Sequence, residues 1–142
     1  MKGPARNGVN PPNERRHRLE KIGKHSKPDD QNTVILPDVD VESDLEAIRN
    51  DQARWRPEIG RYEVNGRLWG IEPNGTAFPD SGPGLAKLSR SEYKALIGLI
   101  QAGGDMDRRP MKWVRNKSIS DADWQRAADV YRYHPGNRQG ER

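Results

Sequence analysis

The chain has no cysteine. Disulfides and thiolate zinc sites are excluded, and a reducing compartment suits it. It has one phenylalanine, and only 32% of its 142 residues are hydrophobic. No run of ~18 apolar residues occurs, so no membrane span is predicted. The N-terminus is charged but has no apolar stretch, so no secretory leader is expected. Familiar catalytic motifs are missing too. The three histidines, His17, His25 and His134, are never four residues apart, which excludes a helical zinc pair. There is no G-x-S-x-G elbow and no cysteine nucleophile. The glycines at Gly82 and Gly84 are not followed by a Lys-Ser/Thr pair, so they form no P-loop. Nothing in the pattern asks for a cofactor.

What the chain does have is glycine, proline and charge. Gly and Pro number 14 and 11, and the net charge is +4. With so little to bury, one core with irregular ends is expected. The charge is unevenly spread. Residues 1–28 carry eight basic and two acidic side chains, residues 29–51 one and eight, and residues 106–142 nine and five. Basic blocks around an acidic one suit a phosphate backbone or an acidic protein partner. Charged, Pro-rich tracts are also often unfolded. Residues 1–32 are accordingly read as a flexible basic arm, 33–136 as a single α+β domain and 137–142 as a flexible tail. Within the arm, Glu14 to Lys24 can form a short basic helix.

The densest apolar periodicity follows Ser89. Ser89 and Glu92 have the spacing of a capping box, Leu88 can staple onto Tyr93, and Gly103-Gly104 can end the helix. Tyr93, Leu96, Ile97 and Ile100 then form one stripe. Upstream, Ser81-Gly82-Pro83-Gly84 reads as a type II turn. Arg61–Val64 and Arg67–Ile71 flank Asn65-Gly66, a hairpin signal. A second turn at Asn74-Gly75 leads into Thr76–Phe78. Two-residue turns pair Tyr62 with Trp69 and Ile71 with Phe78. They put Tyr62, Val64, Trp69, Ile71 and Phe78 on one face. The predicted fold is α+β: a three-stranded antiparallel meander packed against the Ser89 helix, with two further helices.

Those further helices start at serines. Ser43 to Glu46 reads as a capping box opening a helix to about Trp55. Ser120 and Asp123 open another, with Trp124, Ala127, Ala128 and Tyr131 at helical spacing and His134-Pro135-Gly136 as its stop. Thr33–Leu36 reads as a short strand that Pro37 ends or keeps at an edge. If extended, Asp38, Asp40 and Glu42 point to one side. They could hold Mg²⁺ or Ca²⁺, but they lack EF-hand spacing, and a solvated acidic strip is the alternative.

Two groups of residues can carry chemistry on nucleic acid. Arg108, Arg109, Lys112, Trp113, Arg115 and Lys117 combine phosphate-neutralising cations with an aromatic able to stack on a base. Trp113 is equally a candidate core anchor. A metal-independent ribonuclease needs a base, an acid and cations on the phosphate. His134 or His17, Tyr131 or Tyr93, and Arg or Lys residues can fill those roles. Arg90, in the first turn of the Ser89 helix, opposes the helix dipole and can be kept for a phosphate. A histidine near a helix C-terminus, as at His134, also has a purely structural use.

The stretch Tyr62 to Gly104, with its hairpin, Ser-Gly-Pro-Gly turn and Leu-Ser-Arg-x-x-Tyr helix start, resembles the C-terminal toxin modules of bacterial polymorphic toxins. These are of the Rhs and contact-dependent inhibition type. Pro83, Gly84, Arg90 and Tyr93 carry the match, which covers about a third of the chain. The resemblance implies an antibacterial domain acting on nucleic acid, RNA before DNA, in the cytoplasm of a target or host bacterium. It also implies an acidic immunity or antitoxin protein as inhibitor. A non-catalytic nucleic-acid-binding module of a mobile element fits the same residues, as does an adaptor that binds protein through the acidic strip.

Overall fold

The structure is a computed structural model and describes residues 1–23, 26 and 30–137. Its helices are α1 (Glu14–His17), α2 (Val41–Arg49), α3 (Arg90–Gln101), α4 (Met111–Val114) and α5 (Asp121–Tyr131). Its strands are β1 (Asn32–Ile35), β2 (Arg54–Arg56), β3 (Arg61–Val64), β4 (Arg67–Ile71), β5 (Ala77–Ser81) and β6 (Leu85–Leu88). The fold is α+β, with a four-stranded antiparallel sheet in the order β2-β3-β4-β5 and a two-stranded antiparallel sheet of β1 and β6. No helix among the described residues is long and apolar enough to cross a membrane.

Local chemistry explains many of the element ends. Asn65 and Gly66 both take positive φ, so the β3–β4 hairpin closes with Tyr62 opposite Trp69 and Val64 opposite Arg67. Gly84 has φ 79°, and the Leu85 N–H reaches the Gly82 carbonyl at 3.0 Å, which makes Pro83-Gly84 the centre of a type II turn. Ser89 and Ser120 each accept from the backbone N–H three residues on, and Glu92 and Asp123 return the bond. Ser89→Ala and Ser120→Ala are each expected to cost ~1 kcal/mol, read as a lower denaturation midpoint.

The tertiary arrangement departs from the expected roof. The Ser89 helix, α3, does not cover the meander. Leu96, Ile97 and Leu99 pack with Trp124, Ala127 and Val130 of α5 and with Val34, Ala86 and Leu88 of β1 and β6. The inner face of the four-stranded sheet, with Tyr62, Val64, Trp69, Ile71 and Ala77, is covered by Val41, Leu45 and Ile48 of α2. An apolar stripe states that a helix must be covered but not by what. The alternation Ala86, Lys87, Leu88 is a second strand signal, and that strand gives α3 its seat. β1 lies between the two cores, Val34 facing one and Ile35 the other. All four of its residues are buried, the polar Asn32 and Thr33 included.

Three further boundaries differ. The connection after β4 is longer than a two-residue turn: Glu72 N–H bonds the Thr76 carbonyl at 2.9 Å. Ile71 therefore pairs with Ala77, and Phe78 pairs with Gly70. One residue of slip turns Phe78 to the opposite face from Trp69. The helix expected from Ser43 begins earlier, because Asp40 is the cap and accepts from the Ser43 N–H at 3.0 Å. It ends at Arg49, and Trp55 lies on β2, the added fourth strand. The Asp38–Glu42 strip is thus a turn and a helix start. Asp40 is spent on the cap and Glu42 on Arg49.

Residues 1–23, expected as part of a flexible arm, are packed onto the domain. Ala5 and Val9 enter the core under α2, and Leu19 and Ile22 enter the core under α3. The Tyr62 hydroxyl accepts from the Ala5 N–H at 2.9 Å and donates to the Lys2 carbonyl at 2.6 Å. Asn10 adds to the edge beside Thr76 as a parallel bridge. Four isolated apolar residues leave no periodic signature, yet all four are buried. Lys24, His25, residues 27–29 and residues 138–142 of the expected tail lie outside the described residues.

Candidate functional site

The four-stranded sheet has a second face, turned away from α2. The register that sets Trp69 opposite Tyr62 turns Arg61 outward. The register that sets Phe78 opposite Gly70 turns Phe78, Asp80 and Glu72 the same way. Beside this face stands β1, joined to β5 by a bond of 2.9 Å from the Thr33 hydroxyl to the Asp80 carbonyl. α1 lies against β1 and brings Arg16 and His17. The result is a cleft of about 280 Å³ walled by these residues with Asn32 and Lys87. It is near the lower end of the usual range for ligand sites.

Three cations face two carboxylates here. Asp80 sits between Arg61, at 3.3 Å, and Lys87, at 3.2 Å. Arg16 is steadied by a bond of 3.0 Å to the Gln31 carbonyl. His17 Nδ1 lies 3.0 Å from the Thr33 carbonyl. A carbonyl only accepts, so Nδ1 carries the hydrogen and Nε2 is left to exchange protons. Burial pulls the His17 pKa below 6.5. Arg16 adds to that, while the Thr33 bond, Asn32 and Glu72 oppose it. Asn32 is buried and donates from Nδ2 to the Arg16 carbonyl at 2.6 Å, while its Oδ1 meets no donor among the described residues.

The residues singled out in the sequence do not assemble as one site. Tyr131 and His134 do meet, their rings stacked 4.9 Å apart. Tyr131 abuts Gly104, beyond the C-terminal end of α3. Arg90 and Tyr93 belong to the first turns of α3, a helix of 12 residues and so ~18 Å long. Tyr93 is fully buried, and burial raises the pKa of both tyrosines, which keeps their hydroxyls protonated. Burial lowers the His134 pKa, and its Nδ1 accepts from the Gly136 N–H at 2.8 Å. That bond is the structural role open to it. Arg90 is exposed.

The basic stretch after α3 is divided in its uses. Trp113 packs on the α3 core and donates from its indole to Gln101 at 2.7 Å. Arg109 lies over the Trp124 ring, 4.5 Å from its centroid, and Lys112 over Trp113 itself. Arg108 pairs with Asp105 at 3.4 Å. Arg115 and Lys117 remain exposed. The aromatic of this cluster therefore serves the core, and its outer surface is charge.

Sequence reasoning named His17 but missed Arg16, Arg61, Glu72, Asp80 and Lys87 as its companions. Their only signal is polar alternation on the outward face of strands, which is also the mark of any solvated face. Among the described residues no three His, Asp or Glu side chains group so as to hold a metal ion. No protein-family model, curated protein or solved structure matches the chain.

Proposed function

We propose that this chain is a toxin domain that cleaves RNA at the His17 cleft without a metal ion. The observation that carries the reading is the convergence, in one cleft, of an imidazole, the Glu72 carboxylate and three cations from α1, β3 and β6. RNA cleavage needs those parts. The 2′-oxygen forms a bond to phosphorus as the bond to the 5′-oxygen breaks, giving a 2′,3′-cyclic phosphate and a 5′-hydroxyl. One proton leaves the 2′-hydroxyl and one arrives at the departing 5′-oxygen. Glu72 and His17 handle these two protons. Arg16, Arg61 and Lys87 stabilise the charge that builds on the phosphoryl oxygens.

The pair works only while it holds one proton between its members. The cleavage rate is therefore expected to fall as pH rises past the His17 pKa, which burial sets below 6.5. A rate profile with a fluorogenic RNA checks this, and a rate still climbing above pH 7 contradicts the pairing.

The net charge of +4 and the cationic cleft suit an acidic immunity protein as inhibitor, and the site of action is the cytoplasm of the bacterium that receives the domain. Induced expression without a partner should halt bacterial growth and degrade RNA. Unimpaired growth with intact RNA at high expression overturns the proposal. The exposed cations Arg115 and Lys117 favour a second reading, a nucleic-acid-binding module without turnover. It predicts salt-dependent RNA binding with no product.

A further inference from the structure

Asp80 stands where the sheet slips its register. Trp69 pairs with Pro79 and Leu68 with Ser81, so Asp80 is an extra residue on β5, at the edge of the four-stranded sheet. A bulge of this kind re-aims a side chain. The Asp80 carbonyl accepts from the Thr33 hydroxyl of β1, and its side chain, only 20% exposed, lines the cleft. There its two oxygens take one cation each. Oδ2 faces Arg61 Nε and Oδ1 faces Lys87 Nζ. The Arg61 guanidinium also lies over the Phe78 ring, 4.9 Å from its centroid, which holds it in this position. A phosphate entering the cleft therefore meets two cations that already share a carboxylate. With Arg16 and Glu72 included, three cations stand against two carboxylates, and a single positive charge is left unmatched.

We propose that Asp80 is the specificity-determining residue of the cleft: it holds Arg61 and Lys87 half-neutralised, so that the cleft accepts a singly charged phosphodiester and turns away a doubly charged phosphomonoester. The inference rests on the RNA reading above and adds the kind of phosphate that the site admits. The cost of taking an ion out of water rises with the square of its charge, while its attraction to fixed cations rises only in proportion. One unmatched positive charge offsets the desolvation of a monoanion and falls short for a dianion. Each linkage inside an RNA chain carries one charge, and a terminal phosphate carries two above pH ~6. Asp80 thereby directs the cleft to internal linkages. An aspartate kept only to tie β5 to its neighbours would add stability and leave this choice untouched, and that is the difference to be measured.

The probes are 2′-O-methyluridine 3′-phosphate and its methyl ester. They share base and sugar, differ in charge, and resist cleavage because the 2′-oxygen is blocked. NMR titration gives both affinities at pH 8, where the monoester carries two charges and His17, with its pKa below 6.5, is neutral. The native protein should bind the methyl ester about tenfold more tightly. At pH 5, where the monoester carries one charge, the two should bind alike. Asp80→Asn should bind both probes more tightly and lose the preference at pH 8. Lys87→Gln, at an exposed position on the rim, leaves no unmatched positive charge and should widen it. An asparagine variant that is folded by circular dichroism and keeps the native preference overturns the proposal. So does a Lys87→Gln variant whose preference is unchanged, which decides the matter even if the asparagine variant does not fold. A native preference that persists at pH 5 has a cause other than charge and overturns it too. If the native protein binds both probes equally at pH 8, Asp80 does not select and the RNA reading stands. If it binds neither probe nor inorganic phosphate, the RNA reading falls with it.

Discussion

Asp44→Ala is expected to destabilise the fold by ~3–5 kcal/mol, as removal of one partner of a buried ion pair does. Asp44 is fully buried under the sheet. Its two oxygens accept from Arg67 Nε at 2.7 Å and Arg67 Nη2 at 2.9 Å, from the Trp69 indole at 2.8 Å and from Asn65 Nδ2 at 2.8 Å. One carboxylate thereby ties α2 to the β3–β4 hairpin. Alanine leaves the Arg67 charge without its carboxylate partner and the buried indole N–H without an acceptor. Against a typical domain stability of ~5–15 kcal/mol, the loss is large. Urea denaturation at pH 7 measures it, and a change below 1 kcal/mol would show the network to be dispensable.

The same carboxylate predicts an acid limb. Burial pushes the Asp44 pKa up, but the bonds from Arg67, Asn65 and Trp69 outweigh it and hold the group below its ordinary 3.8. The folded pKa is thus lower than the unfolded one. The stabilisation is complete above about 3.8 and is lost as pH falls through the folded value. The gap between native and Asp44→Ala midpoints should narrow in acid and stay constant above pH 5. Comparing the difference, and not the native curve alone, removes the contribution of other carboxylates.

His17→Ala is expected to lower RNA cleavage by about 10²–10⁴-fold, the usual share of a general acid or base. Its cost in stability should be only ~1 kcal/mol, for the bond to the Thr33 carbonyl. Glu72→Gln should give a loss of similar order. Because the two act as one proton-exchanging unit, the double variant should be little slower than either single variant. Independent roles would instead multiply the losses. An alanine variant at His17 that cleaves at the native rate removes the site from the mechanism. His134→Ala provides the contrast: its ring stacks on Tyr131 away from the cleft, so cleavage should be kept.

Much of the local structure was legible. Asn65-Gly66 needed only its own φ preferences to form a hairpin, and Ser89 and Ser120 only the residues three positions on to cap their helices. The errors came where a longer connection or a distant partner decided. Asn74-Gly75 looks like the same hairpin signal as Asn65-Gly66. Pro73 and the Asn10 bridge at the sheet edge accompany a longer loop, and Phe78 changes sides as a result. Asp44 carries no signal of its own inside the Ser43 to Glu46 stretch, whose spacing mimics a capping box. Only with Arg67, Trp69 and Asn65 around it does it become the buried anchor of the sheet.

Composition alone excluded disulfides, thiolate metal sites and a membrane-length apolar run, and short-range preferences placed the turns, caps and most strands. Those effects act within a few residues, where chain connectivity guarantees that the interacting groups meet. The seat of α3, the burial of residues 1–23 and the meeting of His17 with Arg61, Glu72 and Lys87 were settled by tertiary packing. They join residues up to 70 positions apart, and no local preference specifies which of several apolar or polar surfaces a distant segment will cover.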